Sequence, residues 1–218
     1  VEKNSDTIKA VTPTVTVSSI TAKYGNDNVT TTVLGVNEFY GEIRNVEAEK
    51  GRFLEYIDVE KRQKVCVIGS YIVKELFEGV DPLGKNIKLN GDSYLIVGTV
   101  AEKQSSVQSS EDDRIYVPYT LATKMSRMGM VGSYSFSAVD KDTVDAALKA
   151  INDYLFSIFN NENAYRAFNQ AAMMDMVNDL TGTMTLVLVG VAAISLLVGG
   201  IGIMNIMLVS VVERTKEI

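Results

Sequence analysis

Histidine and tryptophan are absent from this sequence, and cysteine occurs once, as Cys66. Without histidine there is no Ser-His-Asp triad, no Cys-His pair and no histidine-ligated metal. One cysteine cannot close an internal disulfide. Its setting in Val65-Cys66-Val67-Ile68 predicts a buried structural thiol rather than a reactive one. Positive charge is scarce as well: 21 Lys and Arg against 27 Asp and Glu give a formal net charge of −6. A nucleic-acid partner, which needs a basic stripe, is not expected. No catalytic, cofactor-binding or metal-ligating residue is assigned.

Two stretches imitate sites and are read otherwise. Gly79-Val80-Asp81-Pro82-Leu83-Gly84-Lys85-Asn86 has the spacing of a phosphate loop, but Asn86 stands where Ser or Thr would reach magnesium. A phosphate loop follows a strand and opens a helix. Here a helical pattern precedes and the β run Ile87–Leu89 follows, which predicts a structural turn. Glu111-Asp112-Asp113 is expected to be a solvated charge run rather than a cation site. Tyr154, Tyr165 and the methionines fit core packing or a greasy surface.

What the sequence has in abundance is apolar length. From Leu180 to Val212 no Asp, Glu, Lys or Arg interrupts the chain. About 20 apolar residues cross a hydrocarbon core of about 30 Å, so residues 181–212 are expected to form a transmembrane helix. Arg214 and Lys216 follow directly, whereas the upstream flank carries Asp175 and Asp179. Positive residues collect on the cytoplasmic side, which predicts a cytoplasmic C-terminus, with residues 1 to about 180 outside the cell (inner) membrane. Ser195, Gly199, Gly200 and Gly202 lie within the apolar run, and small residues let membrane helices approach closely; packing against further helices is expected. Val1-Glu2-Lys3-Asn4 offers neither Met nor an apolar signal core, and the pattern reaches Ile218 uncapped, so a piece of a longer polypeptide is expected.

The remaining residues are enough for one larger domain or two small ones. Thr12 to Val36 reads as paired strands around Gly25-Asn26-Asp27-Asn28, with a bulge at Ser18-Ser19 where the apolar phase shifts. A short helix or loop is expected at 37–44, a charged solvated segment at 57–64, and a buried strand at Val65–Ile68. Ser70 is expected to cap a helix carrying Ile72, Val73, Leu76 and Phe77. Asn90-Gly91 predicts a hairpin between Asn86–Leu89 and Ser93–Val100. Residues 104–114 read as a mobile loop and Ile115–Tyr119 as a strand. Tyr134, Phe136 and Ala138 alternate with serines as the inner face of a half-buried strand. Asp140 or Asp142 caps a helix with Val144, Ala147, Leu148, Ile151, Leu155 and Phe159 on one face. Ala164–Phe168 is expected to return as a strand, after which Asn169 caps a helix that runs on into the membrane.

The run from Leu197-Val198-Gly199-Gly200-Ile201-Gly202 through Met204-Asn205-Ile206-Met207 to Glu213-Arg214-Thr215-Lys216-Glu217-Ile218 resembles the MacB-type ABC transporter permeases of the FtsX superfamily. In that family it ends the second transmembrane helix and enters the cytoplasmic segment facing the ATPase. Gly51-Arg52-Phe53, Val67-Ile68-Gly69, Leu76-Phe77, Asp81-Pro82-Leu83-Gly84-Lys85 and the hairpin through Gly91 to Val97-Gly98 resemble the family's extracytoplasmic domain.

The resemblance implies an α+β fold, a MacB-like periplasmic core domain followed by one transmembrane helix. Residues 1–50 and 133–180 would form a porter-like α/β layer, 51–132 an inserted β-rich sabre-like lobe, 181–212 the span and 213–218 the start of a coupling segment. By matching position Glu213, Arg214 and Glu217 would lie in that segment. The implied partners are an ABC ATPase subunit or domain, a second copy or paralogous permease, membrane lipids and a periplasmic adaptor protein. ATP and magnesium would belong to the ATPase, and this chain, a permease component, would be no enzyme itself. The implied function is ATP-driven export or extraction of substrate by mechanotransmission through long helices. The alternative is a non-transporting FtsX-like protein that activates an envelope partner such as a cell-wall hydrolase.

Overall fold

Alternating Val, Ile and Thr carry the first part of the chain into strands, because β-branched side chains pack well on a pleated surface. The computed structural model describes residues 6–103, 107–126 and 129–215, except the side chains of 171, 213 and 214. It divides into two units, Val1–Ala150 and Ile151–Ile218.

Strands β1 (Ile8–Tyr24) and β2 (Asp27–Val36) form the expected hairpin, turned by Gly25-Asn26 with Gly25 at φ 59°. A positive φ at the first central position is what a type II′ turn asks of glycine. The expected bulge is present: the ladder stops at Val17↔Val33, resumes at Ile20↔Thr31, and Ser19 takes φ 59°. The chain continues through α1 (Tyr40–Arg44), β3 (Ala48–Gly51), α2 (Tyr56–Glu60), β4 (Val65–Ile68), α3 (Ser70–Phe77), β5 (Asn86–Leu89) and β6 (Asp92–Val100). Then come β7 (Arg114–Pro118), α4 (Tyr119–Met125), β8 (Ser133–Ala138), α5 (Val144–Phe159) and α6 (Gln170–Thr215). Asn90 and Gly91, at φ 48° and 95°, turn the β5–β6 hairpin as predicted, and both positive angles fit a type I′ turn.

The pairing closes on itself. In order β1, β2, β7, β4, β6, β5 and back to β1, each strand is bonded to the next, with β2–β7 and β4–β6 parallel and the others antiparallel. Closure removes sheet edges that would otherwise recruit other chains. One core lies on one side of the strands, with Val33, Cys66, Ile68, Ile96, Ile115 and Val117 packed against Ile72 and Phe77 of α3. The alternate residues Leu34, Val36, Val65, Val67 and Tyr116 form a second core with Tyr40 and Val46. Cys66 is fully buried, as expected, and burial pushes its thiol up, away from reactivity.

Strand β1 changes partner along its length. Ile8–Thr14 pairs with β8, whereas Val15–Tyr24 belongs to the ring. Residues assigned by sequence to 1–50 thus pair with both the 133–180 section and the 51–132 section, the second time through β2 alongside β7.

Several local expectations are corrected. The N-cap of α3 is Gly69, and Ser70 is already inside the helix. The 57–64 segment is not simply solvated: Asp58 is fully buried, held by Arg52. Asp112 and Asp113 are buried too, and their carboxylates accept backbone N–H bonds from Lys103 and Ser109, so these two acids are folded inward while Glu111 stays exposed. Gln104 to Ser106 lie outside the described residues, and the rest of that loop is turned and hydrogen-bonded. On β8, Tyr134 and Phe136 are 58% and 40% exposed, because this strand lies outside the ring. Residues 165–169 form no strand; a 3₁₀ turn, Glu162–Ala164, and irregular chain lead instead to α6. Asp140 does cap the start of α5, through a 3₁₀ turn closed by Thr143, but Phe159 at the end of its apolar face is 52% exposed.

The near-phosphate loop is a turn between α3 and β5. Gly79 and Gly84 take positive φ, and Lys85 lies 5.5 Å and 5.9 Å from the ring centroids of Tyr24 and Phe77. That ammonium is engaged in cation–π contact.

Candidate functional site

The small and charged residues singled out by sequence all fall on α6. It is one continuous helix of 46 residues, about 69 Å long at 1.5 Å per residue. Within it 172–212 is long and apolar enough to cross a membrane, and none of its most apolar window is buried. Ser195, Gly199 and Gly202, at offsets of four and seven, share one face; Gly200 is turned about 100° from Gly199. Around Gly200 the side chains of Leu196, Leu197, Ile201 and Met204 leave an apolar recess. A Cβ on Gly199, Gly200 or Gly202 would meet nothing within 4 Å. The hydroxyls of Thr181, Thr183, Thr185 and Ser195 donate to the carbonyl one turn back, at 2.8–2.9 Å. They are thus satisfied within the helix itself, as an apolar environment demands. Glu213 and Arg214 occupy the last turn, their side chains outside the described residues; Glu217 lies wholly outside them.

The first unit holds a polar cavity of about 180 Å³ that the sequence did not reveal. The parallel pairing of β2 with β7 brings Tyr116 and Arg114 beside α1, which contributes Tyr40 and Arg44. Lys103, Glu111 and Asp112 enter from the loop between β6 and β7. Tyr40 and Tyr116 are 4% and 3% exposed, with ring centroids 5.6 Å apart. Burial raises both phenols above their ordinary range, offset in part by the Arg114 guanidinium beside them. They therefore stay neutral hydrogen-bond donors. Arg114 Nη1 lies 3.2 Å from Glu111 Oε1. The only sequence signal for this site was the phase of β7, where Tyr116 alternates with Ile115 and Val117. Among the described residues no cluster of three acidic or thiol side chains could hold a metal.

The buried phenols make a direct prediction. The check is a spectrophotometric titration of the ten tyrosines, with free tyrosine at about 10 as the reference. Tyr94, pushed up to about 12 by burial, should ionise late. The sign follows: stability is intact below pH 10, where both folded and unfolded phenols are neutral. It falls as the pH rises from about 10 to about 12, where only the unfolded chain ionises. A late phase that shrinks in Tyr94→Phe, with Tyr40 and Tyr116 still contributing to it, assigns that share to Tyr94; an unchanged titration would contradict the burial argument.

A mixed α+β domain continuing into a helix long enough to cross a bilayer defines a class, the domain carried on a candidate membrane span. The model of the MacB-like periplasmic core domain family matches residues 1–154, and the chain belongs to that family. It is 38% identical over 205 residues to the macrolide export ATP-binding/permease protein MacB of Bdellovibrio bacteriovorus, covering 89% of this chain and 31% of that protein. It is 33% identical over 213 residues to the protein of the same name from Aggregatibacter actinomycetemcomitans, covering 97% and 33%. The chain thus spans about a third of the length of the curated relatives it matches. Its fold is that of the periplasmic region of MacB from Actinobacillus actinomycetemcomitans, with a TM-score of 0.69 at 22% identity over 81% of this chain and 79% of that one. The extracellular domain of the noncanonic ABC-type transporter YknZ from Gram-positive bacteria is similar, with a TM-score of 0.65 at 21% identity over 77% and 84%. The MacB-like permease family, a periplasmic domain and one long apolar helix fit an inner-membrane protein with an extracytoplasmic domain.

Proposed function

We propose that this chain is the extracytoplasmic domain and second transmembrane helix of an ABC exporter permease that works by mechanotransmission. ATP, with magnesium, is hydrolysed on an ATPase domain or subunit at the cytoplasmic face. Closure there is relayed through long helices to the outer domains of a permease dimer, which expel substrate with a periplasmic adaptor. The observation that carries this reading is α6: about 69 Å is more than twice a hydrocarbon core of about 30 Å, so one rigid element serves both membrane and outer domain. Arg214 and Lys216, directly after the apolar run, support a cytoplasmic C-terminus. On this reading Glu213, Arg214 and Glu217 belong to the coupling segment, and the small residues Ser195, Gly199, Gly200 and Gly202 seat neighbouring helices. The β1–β8 ladder supports a porter-like lobe drawn from 1–50 and 133–180, with 51–132 as the inserted sabre-like lobe. The relatives, named as macrolide exporters, speak for transport rather than for activation of an envelope enzyme.

The test uses the full-length transporter in inverted membrane vesicles, with a macrolide among the substrates. Arg214→Glu should lower ATP-dependent uptake by about tenfold while assembly with the ATPase persists, within the 5–150-fold scale of one coupling free energy. Undiminished uptake would remove Arg214 from the coupling path, and no ATP-dependent uptake of any substrate by the unaltered transporter would count against export itself.

A further inference from the structure

The cavity beside α1 holds more positive charge than its own acids neutralise. Arg44, Lys103 and Arg114 face Glu111 and Asp112, a surplus of one cation in a chain of formal net charge −6. Arg114 is committed to Glu111 and to the two tyrosine hydroxyls. Asp112 accepts the Lys103 backbone N–H at 2.9 Å. The Lys103 ammonium donates to the Arg44 carbonyl oxygen at 3.3 Å, which holds the two cationic residues side by side. Neither Arg44 nor Lys103 has a carboxylate partner among the described residues. The remaining wall is apolar: Val46, Val100 and the faces of Tyr40 and Tyr116.

We propose that this cavity binds a small organic monocarboxylate. Its carboxylate lies between Arg44 and Lys103, where charge-assisted hydrogen bonds are strongest. Its apolar body rests on the valines and tyrosine rings, and each buried phenol, while accepting from Arg114, keeps an O–H to donate. Size sets the class. About 180 Å³ is room for about six waters at their liquid volume, well short of the 300–1,000 Å³ of drug-sized pockets. A macrolide does not fit. Charge narrows it further: one surplus cation matches a monoanion, and Glu111 and Asp112 oppose a dianion such as phosphate.

The test is fluorine NMR of 4-fluorobenzoate, with the neutral isostere 4-fluorobenzamide, added to the full chain in detergent micelles. The benzoate signal should broaden and shift at millimolar concentration, and the amide should not. Arg44→Gln and Lys103→Gln, both at exposed positions, should each weaken binding by at least about tenfold, while Arg44→Lys keeps most of it. These variants also subtract partition into the micelle. Equal response of benzoate and benzamide, no response to benzoate, or a response untouched by both substitutions would overturn the proposal.

Discussion

Replacing Arg52 by methionine should lower the thermal midpoint of the folded domain by on the order of 10 °C, the equivalent of about 3–5 kcal/mol. The reason is what stays behind. Asp58 has no exposed side-chain surface, and its charge is answered by Arg52 through Nη1–Oδ2 at 2.6 Å and Nη2–Oδ1 at 3.1 Å. The Glu55 backbone N–H adds one bond at 2.9 Å and closes the capping box that starts α2. Methionine fills the volume of the arginine stem but leaves a buried carboxylate facing a single amide. The reverse change, Asp58→Asn, should cost clearly less, because Arg52 is 38% exposed and water can solvate it. Circular dichroism against temperature on the full chain measures both. Equal losses for the two variants would mean that the pair acts through packing and not through the stranded charge.

Gly98→Ala is expected to be nearly as damaging, about 3 kcal/mol, at the upper end of ordinary overpacking losses. The added Cβ would sit 2.1 Å from the carbonyl oxygen of Arg52 and 3.0 Å from its carbon, both backbone atoms that no rotamer can move aside. Gly98 faces Gly51 across the β3–β6 ladder, and Gly51, at φ 73°, has its own Cβ position 2.3 Å from the Val97 oxygen. Here two backbones touch. Making room must stretch the Arg52 N–Val97 O bond of 3.0 Å and carry Arg52 away from Asp58. The two predictions are therefore coupled: Gly98→Ala with Arg52→Met should lose less than the sum of the single changes. Strict additivity in the double-mutant cycle would show that the backbone contact and the ion pair act independently.

How much of this was legible in the sequence depended on range. The Asn90-Gly91 hairpin, the bulge at Ser18-Ser19, the buried strand Val65–Ile68 and the long apolar helix are written in neighbouring residues, and each formed as read. The ring closure was not legible. It depends on Thr32–Val36 lying parallel to Arg114–Pro118, partners about 80 positions apart that no local period announces. The polar cavity was hidden for the same reason. Asp58 and Asp112 misled because charge was read as exposure, whereas a buried carboxylate is tolerated wherever donors converge on it. Tyr134 and Phe136 misled in the opposite direction: their alternation was real, but β8 sits outside the ring and leaves that face uncovered.

The unbroken length of α6 has a mechanical consequence. Proline does not occur between Gln170 and Thr215, so the point of easiest bending is the adjacent pair Gly199-Gly200. Treated as a stiff lever about 69 Å long, the helix turns a tilt of about 10° at one end into a sweep of about 12 Å at the other. A joint at Gly199-Gly200, about 29 residues from its start, would keep most of that arm on the N-terminal side, roughly 44 Å of it. A flexure so placed would leave the longer arm stiff and take up bending near the end that carries Arg214.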